Sequence, residues 1–343
     1  MKNKNRPLIG ITIGDPGGIG PEVSIKALCH KTIYTMCRPM VIGDAKIIKD
    51  AVKFCHLDLA VKSCSTPKEG SFSFGTIDVL DLNNMPLDQL QHKMITPQQG
   101  QASFEYVIKA IELAIAGKID GTVTGPISKE AINAAGHHHA GHTEIYAGRT
   151  NTVDYAMMLT DDKFRVVHVS THVSLREACD RVKKDRISTV IDLTNAALQQ
   201  LGIHSPSIAV AALNPHCGEG KLFGNEDDNE ILPAVLEARE RGLNVEGPLP
   251  ADTVFVKMKG GVYDAVVTMY HDQGHIPAKL VGFEYDDRTK KWSIMAGVNV
   301  TLGLPIIRTS VDHGTAFDKA GENSANPQSM LEAIKMAAAL AKS

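Results

Sequence analysis

The chain has 343 residues, a formal net charge of −3 and 43 % hydrophobic residues. That size and balance exclude a small disulfide-stapled scaffold and a globally disordered chain. With 36 Lys+Arg against 39 Asp+Glu there is no basic excess, which speaks against a nucleic-acid binder working by phosphate neutralisation. No apolar run approaches the roughly 18–20 residues needed to span a bilayer, so no membrane partner is expected. Met1 to Pro7 is basic but lacks the long apolar stretch of a secretory signal. Cys29, Cys37, Cys55, Cys64, Cys179 and Cys217 show no CxxC spacing and read as reduced thiols of a cytoplasmic protein.

In chain order, Leu8–Ile13 reads as a buried strand, followed by a Gly-rich loop and a helix from about Pro21. Met40–Gly43 is a second strand. Phe104, Val107, Ile108, Ile111 and Ile115 fall on one helical face within 98–116, closed by Gly117, and Gly121–Thr124 starts the next strand. Strands then alternate with helices at Arg165–Ser170, Ser207–Leu213 and Tyr263–Met269, and Pro327–Ala341 closes the chain as an amphipathic helix. This alternation predicts a mostly parallel sheet with helices on both faces. Glu284–Lys291 is a polar insertion that reads as an exposed hairpin or loop.

Three histidines, His172, His216 and His271, each lie just past an apolar strand-like run. Parallel strands deliver their C-terminal ends to one edge of a sheet, where ligands bind. One such histidine alone is an ordinary loop residue; three together predict a metal site with open positions. Imidazole suits Zn²⁺ first, with Mg²⁺, Co²⁺ and Mn²⁺ as alternatives. Asp272 beside His271 could accept from an imidazole N–H. His168 lies within its strand and reads as structural. Lys279 and Arg308 stand on apolar backgrounds, near Asn299, and are candidates to bind an anionic substrate, with snorkelling rim residues as the bland alternative. His142 belongs to a polar cluster, Gly141–Glu144, for which the residues alone leave a surface loop equally open. Gly14–Glu22 and Gly125–Lys129 both read as strand-to-helix turns that could hold an anion on backbone N–H groups, or as plain tight turns. Neither matches a dinucleotide or P-loop fingerprint.

The segments Gly14-Asp-Pro-Gly-Gly-Ile-Gly-Pro-Glu22, Gly141-His-Thr-Glu144, Ser170-Thr-His172, Asn214–Glu219, Pro250–Phe255, Tyr270-His-Asp-Gln-Gly274 and Val298–Pro305 together resemble the 4-hydroxythreonine-4-phosphate dehydrogenase family, in the family's order over nearly the whole chain. The resemblance implies an α/β fold like that of isocitrate and isopropylmalate dehydrogenases, with two α/β/α domains and a cleft between them. It implies a discontinuous domain from residues 1–127 and 303–343 carrying NAD-binding segments, and a second domain, 128–302, carrying the metal ligands and dimer interface. Members oxidise the C3 hydroxyl of a four-carbon, 4-phosphorylated acid with NAD, and the resulting β-keto acid loses CO₂.

Carried over residue by residue, His172, His216 and His271 look like the metal ligands, arriving from both subunits of a homodimer with shared active sites. His142, Thr143, Lys279, Asn299 and Arg308 look like substrate-binding positions. Asp312, His313, Gly314, Thr315, Ala316 and Asn326 resemble the adenine-binding segment of isocitrate dehydrogenases, a loop-based NAD site that needs no Gly-rich fingerprint. Lys279, or a water held near Asp272, is the candidate proton donor after decarboxylation. His275 and the insertion between Lys279 and Asn299 look more like the branch that acts on 4-phospho-D-threonate or 4-phospho-D-erythronate and yields dihydroxyacetone phosphate. The alternative is the hydroxythreonine branch of pyridoxal phosphate synthesis. From other classes, a metal-dependent aldolase or hydrolase without NAD and a catalytically silent ligand-binding protein remain as competing expectations.

Overall fold

The computed structural model describes residues 6–161, 163–288, 291–295 and 297–342. Its strands are β1 (Leu8–Thr12), β2 (Arg38–Gly43), β3 (Ala60–Cys64), β4 (Thr76–Asp81), β5 (Gly121–Thr124), β6 (Ala156–Asp161), β7 (Phe164–His168), β8 (Ile208–Ala211), β9 (Val245–Leu249), β10 (Ala265–Thr268), β11 (Phe283–Asp286), β12 (Lys291–Met295), β13 (Val298–Leu302) and β14 (Arg308–Val311). Helices alternate with most of them, giving a mixed α/β protein. The chain divides into two compact units, 1–152 with 304–342, and 153–303. Both ends of the chain therefore build the first unit.

In the first unit the strand order is β3-β4-β2-β1-β5-β14, and every neighbouring pair is parallel. β1 and β5 are buried along their whole length, which suits their continuous apolar or small residues. β3 at the edge exposes Lys62 and Ser63, a polar rim that discourages pairing with another chain. The predicted long helix spans Pro97–Ile115, with the Thr96 hydroxyl accepting from the Gln99 N–H at 3.2 Å and Pro97 in the first turn. Gly100 lets this helix approach the next one: a Cβ there would stand 2.1 Å from the Ala131 carbonyl oxygen. Phe104, Val107 and Ile111 share a core with Ile132, Ile145 and Tyr146. Residues 128–152, which the sequence assigns to the second domain, therefore pack with the first.

The second unit orders its strands β13-β6-β7-β10-β8-β9. β7, β10, β8 and β9 run parallel, whereas β13 with β6 and β6 with β7 are antiparallel. Val166, Ala209 and Val266 of the parallel strands pack with Val254, Met258 and Tyr263 in the core. β11 and β12 form a separate antiparallel hairpin at the predicted polar insertion. Among the described residues no helix is long and apolar enough to cross a membrane.

Candidate active site

The second unit gathers histidines at one edge of its sheet. β7, β10 and β8 are neighbours and parallel, so their C-terminal ends open on the same side. His172 follows β7, His271 opens the helix His271–Gly282 after β10, and His216 follows β8. The rings of His172 and His271 come within 5.8 Å, centroid to centroid. His271 Nδ1 lies 2.6 Å from Asp272 Oδ1, so the carboxylate holds the Nδ1 proton and leaves the lone pair on Nε2. His216 has a left-handed backbone (φ 52°), with its ring 6.4 Å from that of Phe223. Two of the three predicted ligands thus come together and the third does not. Among the described residues of one chain, no three His, Cys, Asp or Glu side chains form a metal-holding group.

Two further imidazoles join the pair. His275 stacks on His271 with centroids 3.7 Å apart and planes 9° from parallel. Its Nδ1 lies 3.1 Å from His168 Nε2. Burial, then the neighbouring imidazole of His275, pushes His168 down to about 3. Burial, then His271, pushes His275 down to about 4. These two rings are neutral at physiological pH, which makes them lone-pair carriers rather than repelling cations. Sequence reasoning gave His168 a structural role alone. The i, i+4 spacing of His271 and His275 was the available signal that the latter shares the His271 face of the helix. Lys279 lies one further turn along, with its ammonium 5.5 Å from the centre of the Phe283 ring. Asn299, on β13, is half-buried, and its Oδ1 is sealed from solvent without a hydrogen-bond donor among the described residues.

The first unit holds the other predicted substrate positions. Arg308 at the start of β14 is buried, donates from Nη2 to the Thr124 hydroxyl at 3.0 Å, and lies 5.7 Å from the centre of the Tyr146 ring. Burial pushes its guanidinium down to about 10, against the pull of Tyr146 and Glu144, so it stays charged. His142 and Thr143 open the helix His142–Thr150. Burial first, and then the charge of Arg308, holds His142 well below the usual histidine range. Its Nε2 is sealed from solvent with no partner among the described residues. Thr124 and Tyr146, which touch the guanidinium, escaped sequence reasoning because both are distant in the chain, Thr124 by 184 residues.

The segment 312–316 follows β14, with the Asp312 N–H donating to the Ser329 hydroxyl at 3.0 Å and Ala316 in a left-handed conformation (φ 40°). The Thr315 carbonyl accepts from the Ile19 N–H at 3.0 Å, which joins this segment to the Gly-rich turn. His313 is pushed down by burial, and its Nε2 is sealed without a partner among the described residues. Asn326 Oδ1 accepts from the Gln328 N–H at 2.9 Å. Ala325 beside it donates to Glu22 Oε1 at 2.7 Å and accepts from Lys26 at 3.1 Å. The Gly-rich turn itself is occupied by protein: the Asp15 N–H donates to the Pro126 carbonyl at 2.8 Å and the Gly17 N–H to Asp15 Oδ1 at 2.9 Å. Asp15 and Glu22 are both buried there, so the tight-turn reading suits it better than an anion cradle.

A sheet-edge histidine group lies in the second unit and a buried guanidinium in the first. Residues 35–337 match the family model described as pyridoxal phosphate biosynthetic protein PdxA, and the chain belongs to that family. It is 47 % identical over 338 residues to the "Putative D-threonate 4-phosphate dehydrogenase" of Oceanobacillus iheyensis, covering 98 % of both chains. Among solved structures it is similar to a 4-hydroxythreonine-4-phosphate dehydrogenase from Burkholderia phymatum (44 % identity, 98 % of each chain, TM-score 0.84). Another from Klebsiella pneumoniae is 41 % identical over 98 % of this chain and 99 % of that one, with TM-score 0.86. The chain is an oxidoreductase of this family, and the competing expectations of a hydrolase and of a silent binding protein fall away.

Proposed function

We propose that the protein oxidises the C3 hydroxyl of 4-phospho-D-threonate or 4-phospho-D-erythronate with NAD and a divalent ion, with loss of CO₂ to give dihydroxyacetone phosphate. The observation that carries this reading is the pairing of His172 with His271, whose Nδ1 is held by Asp272, in a chain with full-length likeness to a relative named for D-threonate 4-phosphate. The donor set fits a borderline ion such as Zn²⁺: each imidazole is a nitrogen donor, and a carboxylate fixes the tautomer of one. His172 and His271 would hold it with His216 of the partner subunit. Exposed apolar side chains flank both halves of that set, Ile276 and Leu280 on the His271 helix and Leu222 and Phe223 beyond His216. Such patches fit a two-fold interface in which each chain completes the other's site.

When bound, the ion would draw charge from the C3 oxygen while the nicotinamide accepts the hydride. Arg308 would hold the anionic substrate, and the neutral His142 beside it would offer a hydrogen bond without adding charge. The Thr143 hydroxyl and backbone N–H at the same helix start would add donors. Asn299 would use its sealed Oδ1 to accept from a substrate hydroxyl. Lys279 would return a proton to C2 after CO₂ leaves, with a water near Asp272 as the second candidate. Asp312 to Ala316, with Asn326, would seat the adenine end of NAD, where His313 Nε2 lies sealed within the protein. We further propose an isocitrate dehydrogenase-like pair of domains whose residues serve one substrate, and a cytoplasmic location, in keeping with six unbridged cysteines.

The test is NADH formation by purified protein on 4-phospho-D-threonate, 4-phospho-D-erythronate and 4-phosphooxy-L-threonine, with and without a chelator. Preference for a phosphorylated sugar acid, lost with the chelator, is expected. Preference for the amino acid would favour the pyridoxal phosphate branch, which the family description and the solved relatives' names support. Turnover that resists the chelator would remove the metal from the reaction.

A further inference from the structure

We propose that His168 and His275 are positioning residues that fix the plane and the protonated nitrogen of the imidazole group around His271. The inference rests on His271 being a metal ligand, and it concerns rings that are not themselves predicted ligands.

The backbone sets the chain of hydrogen bonds. Met157 on β6 and His168 on β7 are directly paired across an antiparallel ladder. The Met157 carbonyl lies 3.2 Å from His168 Nδ1, and a carbonyl only accepts, so Nδ1 carries the proton. A neutral imidazole has one N–H, which leaves a lone pair on His168 Nε2. That lone pair faces His275 Nδ1 at 3.1 Å, and the same Nδ1 lies 3.1 Å from the His271 carbonyl. Both neighbours are acceptors, so His275 Nδ1 is the donor and its Nε2 keeps the lone pair. The sheet register thus dictates the tautomer of two successive rings.

The second ring then controls the third. His275 is buried and immobilised by these contacts, and it lies flat against His271 at 3.7 Å. Rotation of the His271 ring out of that plane would break the stack, while Asp272 holds Nδ1. The arrangement needs a glycine at 274: a Cβ there would stand 2.6 Å from His168 Nε2 and 3.0 Å from Thr268 Oγ1. A polar, hydrogen-bonded ring packed behind a ligand is the kind of support that sets ligand orientation.

Nitrogen-15 NMR of histidine-labelled, metal-free protein reads the tautomers directly. His168 and His275 should both show a protonated Nδ1 and a pyridine-type Nε2; the reverse tautomer at either ring overturns the proposal. Co²⁺ titration followed by its visible absorption then compares wild type with His275→Phe and His275→Asn. Phenylalanine keeps a flat ring and removes the donor, while asparagine keeps a donor near the place of Nδ1 and removes the ring. Each should weaken Co²⁺ binding by about 10- to 100-fold and alter the absorption band. Unchanged affinity and spectrum in folded variants overturn the positioning role. If either variant fails to fold, Gly274→Ala carries the same expectation through displacement of His168. Wild-type protein that binds no Co²⁺ overturns the metal reading of His271 first, and this inference with it.

Discussion

In the first unit burial, and then the charge of Arg308 beside the Tyr146 ring, disfavours the protonated form of His142; in the second, burial, and then neighbouring imidazoles, disfavours the protonated forms of His168 and His275. Burial is common to both, but the sign of the retained charge differs. A buried cation held by a neutral hydroxyl suits an anionic group of a substrate. Asp272 on Nδ1 leaves the His271 lone pair on Nε2, which suits a metal cation. On the proposed function, the two units would thus prepare sites of opposite polarity by the residue type each buries. In that proposal the difference would separate binding of the substrate's remote charge from the chemistry at its reacting carbon.

That division orders the expected effects. His271→Ala, which removes a proposed ligand, should cut turnover by about a thousandfold or more, measured as NADH formation with Zn²⁺ present. Retained turnover would break the assignment of the cation site to the second unit. Lys279→Met should cut turnover by about a hundredfold while metal content, read by mass spectrometry, stays at the wild-type level. Full activity in that variant would take Lys279 out of the proton transfer. Arg308→Met should raise KM for the phosphorylated acid by about 10- to 100-fold and alter kcat less, in steady-state rates. An equal fall in kcat with unchanged KM would contradict its role as a remote anchor.

A further effect concerns stability rather than turnover. Burial raises Asp15 in the first unit to about 6 from its usual 3.8. The folded state therefore binds its proton more tightly than the unfolded chain does. The associated stability is present below about pH 4 and is lost as pH rises through about 6, by up to about 3 kcal/mol. Asp15→Asn, which cannot ionise, should flatten that fall in urea unfolding between pH 4 and 7. An unchanged pH slope would show that Asp15 titrates as it does when exposed.

Much of this was legible before the structure. The Leu and Ile residues of β1 mark a buried strand, and helical spacing of Phe104, Val107 and Ile111 marks Pro97–Ile115. The three strand-end histidines announce themselves because β7, β8 and β10 are apolar up to the turn. What stayed hidden depends on pairings distant in sequence. β14 joins β5 only after the chain has built a whole second unit, so Thr124 gives no local hint that it meets Arg308. The placement of 128–152 turned on a packing contact at Gly100, which composition does not announce. His168 was read as structural because a histidine inside a strand is usually just that; its link to His275 needs the register of β6 with β7.

The most direct test of the two-polarity account is anomalous diffraction at the cobalt edge from crystals grown with Co²⁺. The account predicts one strong peak per chain between His172 and His271, completed by His216 of the partner subunit. A peak on other side chains, such as His137 to His139, with none at His271, would contradict it.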